Sequence, residues 1–100
     1  EISADGILSG EVIYVDRFGN LITNIDDNII RGKESCVSSI AIGNREINRL
    51  SASYQDGQLG EPVALIGSSG HLEVAINGGN ASESLNCSRG EKVVITFGEN

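Results

Sequence analysis

The chain has 100 residues, 39% of them apolar, enough for one hydrophobic core and too few for two. No apolar run approaches the roughly 18 residues of a membrane-spanning helix, which excludes that architecture. Seven Lys and Arg against 14 Asp and Glu give a net charge of −7, and there is no basic run, so neither nucleic acid nor an anionic membrane surface is an expected partner.

Ile and Val supply half of the apolar residues, Gly reaches 13, and Met and Trp are absent, a composition of strands and turns. Residues 1–8 read as a lead-in ending at Ile7-Leu8, and Ser9-Gly10 as a turn. Residues 11–16 form the first strand, broken by Arg17-Phe18-Gly19-Asn20, where Gly19 and Asn20 tolerate positive φ. Residues 21–25 are a second strand. Residues 26–32 are one helical turn, with acidic residues at its start and Gly32 at its end. A third strand over 36–42 returns through Gly43-Asn44 into 45–50, with Ile40, Ile42, Ile47 and Leu50 on its apolar side. Residues 52–54 are a short extended piece. Residues 63–66 are apolar on both faces, the pattern of a strand covered on both sides. After the tight loop 67–70, His71–Ile76 alternates, with Leu72, Val74 and Ile76 inward and Glu73 outward toward solvent. The loop 77–80 leads to a short helix, Ala81–Leu85, where Asn80 and Glu83 resemble a capping box. Residues 88–90 turn into a last strand, Lys92–Phe97. The fold predicted from this order is all-β: a small antiparallel, Greek-key-like barrel of about seven strands with one or two short helical turns, a single domain over residues 1–100.

Cys36 and Cys87 allow at most one disulfide, and neither stands at metal-ligand spacing to His71; they read as two buried or half-buried thiols with no metal site. The loops 16–20, 67–70 and 77–80 are built from small and amide residues. Such loops let backbone N–H groups approach a ligand, and Asn adds both a donor and an acceptor, a mixture suited to a planar heterocycle such as adenine. Asp16 and Glu73 are carboxylates that could meet a cationic amine, and Phe18 and Tyr54 are rings that could stack. Plainer readings stand beside these: Gly and Asn serve turn geometry, Phe18 plugs the core, Asp16 caps its turn, and Glu73 is solvated. His71 near Ser68 and Ser69 lacks a third member for a triad, and 67–70 lacks the Lys of a phosphate loop. On pattern alone the chain is a β domain with a ligand face and no catalytic machinery.

Two longer blocks are more specific. Residues 10–25 read Gly-Glu-Val-Ile-Tyr-Val-Asp-Arg-Phe-Gly-Asn-Leu-Ile-Thr-Asn-Ile, and residues 63–81 read Val-Ala-Leu-Ile-Gly-Ser-Ser-Gly-His-Leu-Glu-Val-Ala-Ile-Asn-Gly-Gly-Asn-Ala. With the closing Arg-Gly-Glu-Lys-Val-Val of 89–94, they closely resemble the C-terminal domain of the S-adenosyl-L-methionine (SAM) hydroxide adenosyltransferases, hydrolase relatives of the bacterial fluorinase and chlorinase. The resemblance implies a cytoplasmic enzyme whose catalytic N-terminal domain lies outside this chain. It also implies homotrimers, in which SAM sits between one subunit's N-terminal domain and its neighbour's C-terminal barrel. Water then displaces methionine at the ribose C5′, giving adenosine and L-methionine. SAM is the substrate, no cofactor is implied, no catalytic residue falls within these residues, and the chain alone is expected to be inactive.

Carried over by position, Asp16 and Ser68 would hold the methionine amino or carboxylate end, helped by the backbone at Ser69. Phe18 would line the adenosine pocket, Asn20 would hydrogen-bond adenine, Tyr54 would stack on it, and the backbone at Asn77 and Gly78 would close its edge. The halogenases carry Arg where this chain has Ser69 and Ile76, which points to the hydrolase branch. The alternative is a stand-alone, non-catalytic ligand-binding or assembly barrel. The opening at Glu1 without Met, together with Asp16, Asn20 and Ser68, favours a fragment of an enzyme.

Overall fold

A computed structural model describes residues 2–98. Its seven strands are β1 (Ile7–Val15), β2 (Leu21–Asp26), β3 (Val37–Ile42), β4 (Arg45–Ile47), β5 (Pro62–Ile66), β6 (His71–Ile76) and β7 (Lys92–Phe97). They are hydrogen-bonded in the order β4-β3-β7-β1-β2-β6-β5, every strand pair antiparallel. The two ends of the sheet meet at Leu50, which forms a parallel bridge to Ala64, and the Ser51 N–H donates to the Ala64 carbonyl at 2.7 Å. This contact nearly closes the sheet into a barrel and occupies an edge that would otherwise be free to pair with another chain. Two short helices, α1 (Asp27–Ile30) and α2 (Ala81–Leu85), and 3-10 turns at Glu34–Cys36 and Tyr54–Asp56 complete the fold. No helix among the described residues is long and apolar enough to cross a membrane.

The core is the alternation seen in the sequence. Leu8 and Val12 of β1, Leu21 and Ile25 of β2, Ile40 and Ile42 of β3, Leu72 and Val74 of β6, and Val93 and Ile95 of β7 are all buried in one cluster. The turn expected at Ser9-Gly10 is instead the interior of β1. A Cβ on Gly10 would lie 2.6 Å from Ile25 Cγ1 and 2.7 Å from Asn24 Oδ1, so this glycine marks where β2 side chains cross β1 closely. Asn24 Oδ1 also accepts the Glu11 N–H at 2.9 Å, tying the two strands together. A register shift between Val12 and Tyr14 then leaves both Ile13 and Tyr14 exposed and re-aims the end of β1.

Thr23 is buried in β2. Its hydroxyl donates to the Leu72 carbonyl at 2.8 Å and accepts the Ile25 N–H at 3.1 Å, spanning the stretch where the β2–β6 register shifts. Thr23→Val keeps the shape and removes both bonds. Stability is expected to fall by about 1–3 kcal/mol, read from the urea midpoint; an unchanged midpoint would show that backbone alone fills that gap.

β5 is covered on both sides, as expected, and so is β6, whose outer face was expected to meet solvent. Ala64, Leu72, Val74 and Ile76 join the core, while Val63, Leu65 and Ala75 form a second cluster on the opposite face. The cover is residues 51–61, with Gly57 packed directly on Val63. The extended piece expected at 52–54 is instead the approach to the 3-10 turn Tyr54–Asp56. The Ser53 hydroxyl accepts the Gln55 N–H, and the Asp56 carboxylate accepts the Ala52 and Ser53 N–H groups at 2.9 and 3.3 Å. Those backbone bonds, Ala52 foremost, hold the Asp56 carboxyl below its usual range. The strand expected over 45–50 ends at Ile47, since Leu50 turns away to close the barrel. Cys36 lies in the 3-10 turn Glu34–Cys36 rather than in β3. Both cysteines are free thiols, Cys87 buried and Cys36 half-buried. Burial, with a smaller push from Glu91, raises the Cys87 thiol and keeps it protonated.

Candidate functional site

Three connections converge on one face of the barrel: the β1–β2 loop, the 3-10 turn Tyr54–Asp56, and the loop from β6 into α2. Between them is an open cleft of about 480 Å³ whose lining includes Asp16, Phe18, Asn20, Tyr54, Asn77 and Gly78. Six of the eight positions expected to bind substrate therefore share one cavity.

The β1–β2 loop is organised by Asp16. Its Oδ1 accepts the N–H groups of Phe18 and Asn20, both at 2.9 Å, and its Oδ2 accepts from Asn20 Nδ2 at 3.1 Å. The turn-capping role is thus present. Gly19 follows at φ +84°, and a Cβ there would run into the Asn80 side chain. The Gly19 carbonyl accepts the Ser82 N–H at 2.9 Å, while Asn80 Oδ1 caps α2 by accepting the Glu83 N–H at 2.9 Å. The start of α2 therefore holds the loop in place. Phe18 does not plug the core: its ring is 64% exposed at the cleft rim, with the Arg17 guanidinium 5.1 Å from its centroid.

Tyr54 is fixed differently. Its ring is 41% exposed, and its hydroxyl donates to Glu73 Oε1 at 2.7 Å. Glu73 is only 6% exposed, against the expectation of a solvated outward residue. The alternation did place it on the outer face of β6, but residues 51–61 fold over that face and bury it. The bond to Glu73, then desolvation, then the charges of Glu73 and Asp16 push the Tyr54 phenol up to about 12. Its folded value lies above the ordinary 10.0, so the stabilisation is full below pH 10 and lost as pH rises through about 12. An ultraviolet titration of the protein minus that of Tyr54→Phe should show one phenol ionising near 12. A difference centred near the ordinary 10.0 would mean that the Glu73 bond is not made.

Asn77 closes the third side. Its Nδ2 donates to the Gly57 carbonyl at 2.9 Å, and its carbonyl accepts the Gly60 N–H at 3.0 Å, so it joins the 51–61 cover to the cleft. Gly78 follows at φ +75°.

A model of the SAM hydroxide adenosyltransferase C-terminal domain matches residues 10–94. The chain belongs to that family. A Thermus thermophilus protein named (R)-S-adenosyl-L-methionine hydrolase is 37% identical over 84 residues, covering 84% of this chain and 30% of its own length. A Salinispora tropica protein of the same name is 30% identical over 95 residues, covering 95% of this chain and 34% of its own length. The chain thus spans about a third of these relatives. Among solved structures, an uncharacterized conserved protein from Thermotoga maritima superposes with a TM-score of 0.74 at 32% identity, over 88% of this chain and 34% of that one. A conserved hypothetical protein from Thermus thermophilus gives 0.69 at 36% identity, over 87% and 32%.

In this SAM hydroxide adenosyltransferase domain, Ser68 and Ser69 are not brought into the cleft. Both are exposed on the turn between β5 and β6, and Ser69 Oγ lies 3.4 Å from His71 Nδ1. Gly67, at the start of that turn, presses on the Glu73 carboxylate so closely that a Cβ would collide with it. Glu73 is thus the buried link between the serine turn and Tyr54. Its burial was hidden because a two-residue alternation reports the face of a strand and not what covers that face.

Proposed function

We propose that this barrel is the substrate-binding domain of an enzyme that hydrolyses SAM to adenosine and L-methionine. The observation that carries the reading is the convergence of Asp16, Phe18, Asn20, Tyr54, Asn77 and Gly78 on one cleft. The hydrolase names of the curated relatives support it.

In this reading the purine lies against the exposed rings of Phe18 and Tyr54, and the Asn20 amide hydrogen-bonds its edge. The backbone at Asn77 and Gly78 bounds the pocket. Asp16 accepts three hydrogen bonds, and a carboxylate has about four acceptor positions, so one remains for the methionine ammonium. The negative charge of Asp16 and Glu73 around Tyr54 suits a sulfonium that is itself cationic. Ser68 and Ser69 serve the methionine carboxylate from the next turn. Displacement at the ribose C5′ needs a positioned water and a dry, enclosed pocket. A catalytic N-terminal domain, from a neighbouring subunit of a homotrimer, supplies the opposite wall and orients that water.

The test is chromatography of SAM incubated with the intact protein that contains this chain. Adenosine and methionine should appear in equal amounts, and the 100-residue chain alone should give neither. No release by the intact protein would favour a ligand-binding or assembly barrel instead.

A further inference from the structure

We propose that Asp16 is a positioning residue that fixes which way the Asn20 amide faces, and so selects a 6-aminopurine over a 6-oxopurine. This rests on the adenosine reading of the cleft and adds to it the origin of base selectivity.

A side-chain amide carries an acceptor oxygen and a donor NH₂ of nearly the same shape, so its surroundings decide its orientation. For Asn20 the deciding neighbour is Asp16 Oδ2, 3.1 Å from Nδ2. An ionised carboxylate can only accept, so the group facing it must be the NH₂; the reversed amide would set oxygen against oxygen. Asp16 cannot rotate away to relieve such a clash, because its Oδ1 is held by the N–H groups of Phe18 and Asn20, both at 2.9 Å. The carboxylate thus fixes the loop with one oxygen and the amide with the other. What Asn20 has left for a ligand is Oδ1 as acceptor and the second Nδ2–H as donor. That pair matches the N6–H donor and N7 acceptor of adenine, the bidentate geometry by which asparagine reads that base. A 6-oxopurine presents O6 and N7, both acceptors, and its O6 would meet Oδ1.

Asp16→Asn separates this role from the others. The variant is isosteric, and its Oδ1 can keep both backbone bonds. Its new NH₂, however, stands where Oδ2 was, so Asn20 is expected to turn its oxygen toward it, exchanging donor and acceptor at the cleft. Adenosine and inosine are titrated calorimetrically into the intact parent and the intact variant. The parent should prefer adenosine by about five- to a hundredfold, and that ratio should fall at least about fivefold in Asp16→Asn. An unchanged ratio would overturn the proposal, whether both affinities fall together, as for a purely loop-shaping residue, or neither falls. Contact with the methionine ammonium is read separately, as extra loss for SAM beyond that for adenosine.

A second measurement needs no ligand. In ¹⁵N-labelled intact protein one of the two Asn20 side-chain N–H protons, the one bound to Asp16, should exchange with water more slowly than the other, and that protection should vanish in Asp16→Asn. Indifference of that exchange to Asp16 would overturn the lock. A parent that binds neither nucleoside would instead remove the adenosine reading, with the NMR measurement still deciding the amide orientation.

Discussion

Asn20→Ala in the intact protein is expected to weaken SAM binding about five- to a hundredfold, about 1–3 kcal/mol, with little change in thermal stability. The side chain is half-buried, and its hydrogen bond to Asp16 lies within its own loop. Removing it deletes the group that the proposed reading sets against the purine and leaves the backbone bonds to Asp16 Oδ1 in place. Asn24→Ala should behave in the opposite way. Asn24 Oδ1 accepts the Glu11 N–H between β1 and β2, so its loss should lower the melting temperature and leave affinity unchanged. Equal affinities for the two variants would contradict the placement of adenine at Asn20.

Gly19→Ala should damage both the fold and the site. A non-glycine residue at φ +84° costs about 1–2 kcal/mol. The added methyl also displaces Asn80, whose cap on α2 is worth about 1 kcal/mol. The combined loss should be about 2–3 kcal/mol by urea unfolding, together with weaker nucleoside binding, because the loop that carries Asp16, Phe18 and Asn20 must move. Gly32→Ala is the control. Gly32 has the same φ of +84° but nothing within 4 Å of its Cβ position, so it should show the strain alone and leave binding intact. If the two variants lose equal stability and both bind normally, α2 does not hold the loop.

The strands were legible because their periodicity is physical. Leu21-Thr23-Ile25 and Leu72-Val74-Ile76 alternate as a pleated strand over a core must, and the unbroken 63–66 announced a strand covered on both sides. Gly10 misled because glycine has two uses, and only the three-dimensional neighbour Ile25 shows that here it permits close approach and not a turn. The candidate cleft was legible to the extent that it is local: Asp16, Phe18 and Asn20 sit within five residues, and the hydrogen bonds of the Asp16 carboxylate run to the other two. The burial of Glu73 was not legible. Its burial depends on residues 51–61, nearly a strand pair away in sequence, folding across β6 and delivering the Tyr54 hydroxyl. The separation of Ser68 and Ser69 from the cleft has the same cause, since chain position says they follow β5 but not that the cleft opens on the other side of Glu73.

A crystal structure of the intact protein with adenosine bound would decide where the base sits. The purine is expected in the cleft between the β1–β2 loop, Tyr54 and Asn77, with Asn20 Oδ1 accepting from N6 and Nδ2 donating to N7. Adenosine seated elsewhere, for example in the second cleft bordered by Arg45, Arg49 and Glu61, with the Asn20 amide facing empty solvent, would contradict it.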